Sequence, residues 1–322
     1  MGEVKNKPMV SVFMPAYNQE HLIAESIESV LAQDFDDWEL VIGDDCSTDN
    51  TYGVADSYRQ KYPDKIQIIR NPVNLGITGN CNSLLKNCNG KYIAFTAGDD
   101  LFLPKKLSLQ VALMEENQDC VLSYHDIEVF GNSIRESSRY FYKDGVRVPF
   151  VGDSKCFAKR VVESGCWIFT GQTVMIINSL ASTLRYEHRI PIASDFLFWV
   201  DYLMINSGSV LFIDEVLAKY RSHSSSVTGK GNFYGGDPYI TLGLIEYKYQ
   251  TLVPYVRKCR AKYFMSAANT RIDKGDRKSF KDGRILLLEA IRLDLGNLQY
   301  VERWLISWRL ELGKWLRKKG FI

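Results

Sequence analysis

Two acidic doublets and one aromatic loop give this chain its chemistry. Gly43-Asp44-Asp45-Cys46-Ser47-Thr48-Asp49 sets two carboxylates side by side, an arrangement that is costly unless something binds them. A carboxylate can accept the N–H of a pyrimidine base. Tyr17, in Pro15-Ala16-Tyr17-Asn18-Gln19-Glu20, offers a ring to stack on it. The plainer alternative is that Asp44 and Asp45 cap the following helix. The second doublet closes Thr96-Ala97-Gly98-Asp99-Asp100. Mg²⁺ or Mn²⁺ takes one or two carboxylates plus substrate phosphates, so this stretch suits a divalent cation. Here the alternative is helix capping before Pro104 or a solvated turn. Neither loop contains G-x-G-x-x-G, which argues against a dinucleotide site. Farther on, Asp195 precedes the apolar run Phe196–Val200. It can be an N-cap, or a general base kept ionised by a helix N-terminus. His223 stands in Tyr220-Arg221-Ser222-His223, where the choice lies between a structural role and a metal or phosphate contact. Arg221 reads as an ion-pair partner or a phosphate contact.

The surrounding pattern says what positions these residues. Short apolar runs at Val10–Met14, Leu40–Ile42, Ile66–Ile69, Tyr92–Phe95 and Cys120–Tyr124 predict strands. Between them, His21–Ala32, Asn50–Lys61, Thr78–Asn87 and Lys105–Glu116 read as helices, the second with Ser47-Thr48-Asp49 as its cap. Strand alternating with helix at this spacing predicts βαβ units, a mostly parallel sheet and an α/β fold. Ligands of such sheets bind beyond the carboxyl ends of the strands, which is where the acidic loops fall. Residues 126–180 are less regular. A helix is expected at Asp195–Ile205 and a strand at Val210–Ile213. After the Ser- and Gly-rich stretch Arg221–Gly235, residues from about 238 read as all helix.

Composition narrows the class. The chain has 322 residues, 46% hydrophobic and 24% charged, with Lys+Arg 40 and Asp+Glu 38, which excludes disordered and fibrous proteins. No apolar run approaches the ~20 residues of a membrane span, and the first twenty residues lack a signal-peptide core, so a cytoplasmic location is expected. Seven cysteines, none in C-x-x-C, predict reduced thiols without zinc or disulfides. Residues 251–322 hold 17 Lys/Arg and 7 Asp/Glu, while the rest of the chain is net acidic. That basic tail is expected to meet something anionic, a membrane surface rather than nucleic acid. Drawn as a helix, residues 301–316 place Val301, Trp304, Leu305, Trp308, Leu312, Trp315 and Leu316 on an arc of about 120°. This face predicts an interfacial helix at the membrane, or one packed on the rest of the protein.

Taken together, V-S-V-F-M-P-A-Y-N-Q-E, E-L-V-I-G-D-D-C-S-T-D-N-T, N-P-V-N-L-G and G-K-Y-I-A-F-T-A-G-D-D-L-F-L-P-K-K-L resemble the family 2 glycosyltransferases of the GT-A fold. The resemblance is strong through about residue 125 and weaker through Asp195-Phe196-Leu197-Phe198-Trp199 and Tyr220–His223. It implies a GT-A, Rossmann-like sheet with a helical C-terminal extension. Residues 1–230 would form the transferase domain, with 1–125 the nucleotide-sugar half and 126–230 the acceptor half; 231–322 would form the helical region. By the same resemblance, Pro15, Ala16, Tyr17, Asn18, Glu20, Asp45, Gly76, Asn80 and Asp99 contact the nucleotide. Asp100 and His223 serve the metal, Mn²⁺ or Mg²⁺, and Asp195 is the catalytic base. The family's D-x-D has Gly98 in its first position here. Cys81 stands where Arg is common, and Ser194 where an acidic residue usually precedes the base. Trp167, Phe169 and Gln172 fall where the acceptor side begins.

The implied activity is inverting transfer of a sugar from a nucleotide sugar, expected to be UDP-linked, to a glycan or lipid-linked glycan in polysaccharide or lipopolysaccharide synthesis. Two other classes compete. A sugar nucleotidyltransferase would need a Gly-rich basic loop after the first strand, which P-A-Y-N-Q-E does not supply. A non-catalytic nucleotide or glycan binder would accommodate the departures at Gly98 and Ser194.

Overall fold

In a computed structural model of the chain, residues 7–131, 139–145, 147–166, 169–192, 194–223 and 237–318 are described. Their contacts divide the chain into two units. One comprises residues 1–161 and 166–241, the other 162–165 and 242–322.

The first unit is built on a sheet. Its strands are β1 (Val10–Ala16), β2 (Trp38–Asp44), β3 (Ile66–Arg70), β4 (Tyr92–Phe95), β5 (Leu101–Phe102), β6 (Cys120–Phe130), β7 (Arg139–Tyr140), β8 (Gly152–Asp153), β9 (Met175–Ile177) and β10 (Ser209–Arg221). The order is β3-β2-β1-β4-β9-β6-β10-β5, with β7 beside β6 and β8 beside β10. β1, β2, β3 and β4 pair in parallel, as do β6 and β10. β9 runs antiparallel to both β4 and β6, so those six longer strands all point the same way. The three residues of β9 lie in the irregular stretch, too short to carry a period. β6 and β10 each run well past the apolar cores that announce them. β10 does so through register shifts on either side of Val216, which let a strand bend while keeping its partner.

Helices α1 (Ile23–Leu31), α2 (Thr51–Lys61), α3 (Gly76–Leu85) and α4 (Lys106–Glu116) fall within a residue or two of expectation. The cap of α2 differs. Asn50 is the N-cap and makes no side-chain cap bond, while Asp49 accepts Thr51 N–H at 2.9 Å from one position earlier. Ile23, Ile27 and Val30 of α1, with Leu107, Val111 and Met114 of α4, join the core formed by Val10, Val12, Met14, Leu40 and Ile42. Further on come α5 (Ser154–Ser164), α6 (Asn178–Ala181) and α7 (Ser194–Ile205). Phe196 through Leu203 of α7 are all buried, which explains a helix with little amphipathic contrast. Its rings carry the core from strand to helix: Phe95 lies 5.0 Å from Trp199, and Tyr186 stacks on Phe198 at 4.4 Å.

The second unit is helical: most of α8 (Asp237–Lys248), then α9 (Val253–Lys274), α10 (Arg277–Leu293) and α11 (Leu298–Lys318). Ala268, Ile272, Phe280 and Leu287 form a core against which Trp304 packs. The arc drawn on 301–316 therefore splits. Trp304 turns inward, whereas Leu305, Trp308, Leu312 and Trp315 are exposed. No helix among the described residues is long and apolar enough to cross a membrane. None of the seven cysteines, all among the described residues, is joined in a disulfide.

Candidate active site

Parallel pairing brings the carboxyl ends of β1, β2, β4 and β10 to one edge of the sheet, and the chemistry-bearing loops follow them. The register sets Ala16 against Asp44, so Pro15–Glu20 leaves β1 beside the first acidic doublet. Tyr17 is exposed at the edge. Asn18 is committed locally: its backbone N–H donates to Ser47 Oγ at 3.0 Å, and its Oδ1 accepts Thr48 N–H at 2.9 Å. Glu20 likewise accepts Asn50 N–H at 2.8 Å. These two side chains lock the β1 and β2 loops together.

Asp45 is buried, and its Oδ1 accepts from Asn71 Nδ2 at 2.9 Å and from Leu75 N–H at 2.8 Å. Asn80, also buried, donates to the Gly43 carbonyl at 2.8 Å and accepts from Asn71 at 3.1 Å. Asn80 thus supports the strand end and the partner of Asp45. Gly76 opens α3 with φ of 71°, a left-handed conformation suited to glycine. Asp44 points elsewhere, 3.4 Å from the Arg70 guanidinium.

Asp99 and Asp100 follow β4. Asp99 Oδ2 lies 3.0 Å from His223 Nε2, and the Asp99 carbonyl accepts from Arg221 Nε at 2.9 Å. Buried Asp100 accepts Arg221 N–H at 2.8 Å and the Gln172 amide. Burial, reinforced by the charge of Asp99, pushes the Asp100 carboxyl well above the usual range. Arg221 also pairs with Glu25 at 2.5 Å, so its structural reading accounts for its side chain. A Cβ on Gly98 would fall 2.4 Å from Gln19 Oε1, so the Gln19 amide fills the space of the missing first acidic residue. That Gln19 oxygen is buried without a hydrogen-bond partner among the described residues. A cleft of about 340 Å³ opens here, bounded by Asn18, Gln19, Glu20, Asp49, Arg221 and His223.

These groups fit a divalent cation shared with a ligand. Two adjacent carboxylates, one pushed toward its neutral form by burial and by its neighbour, and a buried amide oxygen with no hydrogen-bond partner among the described residues all favour positive charge. Among the described residues, no three His, Cys, Asp or Glu side chains converge into a closed metal cage. The missing oxygens would have to come from the ligand.

Asp195 opens α7 and accepts Phe196 N–H at 2.9 Å. Solvent reaches its carboxylate, yet protein crowds it, and that desolvation raises its pKa. Burial, and after it the charges of Asp195 and Asp45, pushes the Cys81 thiol up, so it stays neutral near both carboxylates. Ser194 faces inward, 2.9 Å from Thr78 Oγ1, which donates to the Ile190 carbonyl at 2.9 Å. One turn on, Asn82 clasps Tyr186 through both backbone groups at 2.8 Å. α3 thereby anchors the segment that leads into Asp195. Phe169 is a core residue, and Trp167 lies outside the described residues. Thr78, Asn82 and Gln19 had no individual signal in the sequence, since each acts through a partner distant in the chain; Gln172, expected at the start of the acceptor side, donates to Asp100.

Comparison with known proteins places this geometry. The model of glycosyl transferase family 2 matches residues 11–169. The chain is 36% identical over 230 residues to the putative teichuronic acid biosynthesis glycosyltransferase TuaG of Bacillus subtilis, covering 69% of this chain and 82% of TuaG. It is 28% identical over 225 residues to the Escherichia coli UDP-Glc:alpha-D-GlcNAc-diphosphoundecaprenol beta-1,3-glucosyltransferase WfgD, covering 68% of this chain and 79% of WfgD. Identity to the putative glycosyltransferase EpsE of B. subtilis is 44% over 111 residues, 34% of this chain but only 40% of EpsE. The crystal structure of S. aureus TarS 1-349 in complex with UDP-GlcNAc superposes with a TM-score of 0.68 at 20% identity, covering 97% of this chain and 92% of that one. This likeness establishes the GT-A fold.

Proposed function

The chain belongs to glycosyl transferase family 2, and we propose that it moves one sugar from a UDP-sugar to a hydroxyl of a glycan or lipid-linked glycan, with inversion at the anomeric carbon. The observation that carries this reading is Asp195, a solvent-reachable carboxylate at the head of a buried helix, held by a segment pinned to α3. Asp195 takes the proton of the acceptor hydroxyl as that oxygen attacks the anomeric carbon from the face opposite the leaving diphosphate. Its raised pKa makes it a better base than a free aspartate. Turnover, which needs the ionised form, should fall as pH drops through that raised value. Tyr17 and the strand-end loops around Pro15, Ala16 and Gly76 border the nucleotide, and Asp45, fixed by Asn71 and Leu75, accepts from the base. WfgD's name specifies a UDP-Glc donor and a diphosphoundecaprenol-linked acceptor, and TarS was crystallised with UDP-GlcNAc; both support the UDP assignment, and WfgD's name supports the lipid-linked one.

Asp99, Asp100 and His223 would hold Mg²⁺ or Mn²⁺. When bound, such a cation supplies charge neutralisation to the departing diphosphate. The chain's own part is to fix those groups: Arg221 and Gln172 orient Asp100, and His223 orients Asp99.

Asp195→Asn tests the reading. Turnover should fall by about 10²–10⁴-fold while UDP-sugar affinity changes little. Loss of donor binding with turnover otherwise kept would remove Asp195 from the base role. A product with retained anomeric configuration would remove the single displacement.

A further inference from the structure

We propose that the exposed faces of α10 and α11 form one surface that docks on an anionic lipid bilayer. The partner deepens the reading of a lipid-linked acceptor, resting on it for its purpose and not for its chemistry. On α11, Trp315, Trp308, Leu312 and Leu305 fall within an arc of about 80° and are each half exposed or more. The inward side of the same helix carries Tyr300, Trp304 and Ser307, so the exposed arc lies beside the packed one. On α10, Ile285 and Leu288 are exposed to the same degree. Just before Ile285 in the chain, and one helical turn before Leu288, comes Arg284. Its guanidinium lies 3.7 Å from the Trp308 ring centre and pairs with Glu311 at 2.6 Å. Arg284 thus joins the apolar residues of the two helices and holds one indole in place from below.

Charge selects the occupant. Residues 277–318 contain ten Lys/Arg and five Asp/Glu. Lys281, Arg292, Arg309, Arg317 and Lys318 are exposed. A second copy would bring the same positive charge against this face, whereas anionic headgroups complement it. Indole rings settle at the headgroup level with aliphatic side chains just beneath, and basic residues beside them gain from anionic lipid.

The test is co-sedimentation of the full-length protein with phosphatidylcholine vesicles, with and without phosphatidylglycerol, at low and high salt. Binding should require phosphatidylglycerol and weaken with salt. Trp308→Ser with Trp315→Ser should lower it by at least about tenfold, and Arg309→Glu with Arg317→Glu by a similar factor. Both variants should keep the wild-type melting curve and UDP affinity. If the indole variant does not fold, tryptophan quenching of the wild type by brominated phosphatidylglycerol serves instead, and quenching is expected. Equal partition of variant and wild type, equal binding to phosphatidylcholine alone, absence of quenching, or a dimer that the indole variant dissociates would each overturn the proposal. None of these readouts depends on sugar transfer, so a failure here is distinct from a failure of the transferase reading.

Discussion

In the first unit, buried polar side chains gather where strands end. Asp45 is held by Asn71 and Leu75, Asp100 by Arg221 and Gln172, and Ser194 by Thr78. Asp126, buried after the apolar part of β6, accepts four backbone N–H groups, from Ile127, Phe141, Tyr142 and Lys143. The second unit has little of this. Arg284 and Ser307 are its buried polar residues among those described, and its order comes from apolar side chains and surface ion pairs such as Lys258–Glu163 and Arg260–Glu246. Buried polar contacts specify one geometry and are costly when broken, while an apolar stripe tolerates repacking. On the proposed reading, the unit that would place carboxylates against a reacting bond uses the former. A unit that presents a surface can use the latter.

The contrast breaks most readily at Asp126. Replacing it with Ala strands several buried N–H groups, and unfolding free energy should drop by at least about 3 kcal/mol, measured by urea denaturation. A loss no larger than that of a surface substitution would mean the polar wiring is ornamental. Next comes Thr78→Val, which keeps shape and removes the hydrogen bonds to Ile190 and Ser194. Turnover should fall roughly 10- to 100-fold with donor KM nearly unchanged, and Thr78→Ser should restore it. If donor KM rises and kcat holds, Thr78 serves the donor pocket and not the base.

A subtler probe is Lys106. Its amine nitrogen is buried in α4 against Gln110 at 2.6 Å and His125 Nε2 at 3.1 Å, with no carboxylate partner among the described residues. Burial holds Lys106 well below its ordinary pKa, and burial together with Lys106 does the same to His125. The unfolded chain therefore binds protons that the folded chain refuses. Stability is lost as pH falls through the ordinary values, about 10.4 for Lys and 6.5 for His. Lys106→Met should flatten that decline in melts taken across pH; an unchanged slope would show that Lys106 is charged in place. The smallest effect is expected in the helical unit. The Asp276 side chain caps α10 through Ser279 N–H at 2.9 Å, and Asp276→Ala should lower the melting temperature slightly, less than Asp126→Ala does.

The same contrast governs what could be read from residues alone. The alternating strands and helices through residue 124 were legible because each buries one face at a fixed period. The strand-end loops were legible because two acidic doublets recur at matching places. What stayed hidden depends on partners far apart in sequence. β9 is three residues long and reads as nothing until β4 and β6 flank it. Gly98 looked like a defect in an acidic motif, yet Gln19, almost eighty residues earlier, fills its space. In the helical unit, periodicity located the face of α11. It could not separate Trp304, which packs inside, from Trp308, which does not, because both lie on one arc and only the position of α9 and α10 distinguishes them.

The opening turns of α3 bear on how members of this family can be recombined. Leu75, just before the helix, fixes Asp45, while Thr78 and Asn82 fix the segment running into Asp195. Eight residues, Leu75 to Asn82, thus reach both Asp45 and the segment before Asp195. A chimera joined near residue 125 would pair one parent's α3 with the other parent's 186–195 segment and would mismatch Thr78 against whatever replaced Ser194. Exchange of donor and acceptor halves between relatives should therefore succeed only when α3 travels with the loop it clasps, which makes this helix, and not the midpoint of the fold, the true seam for grafting one specificity onto another.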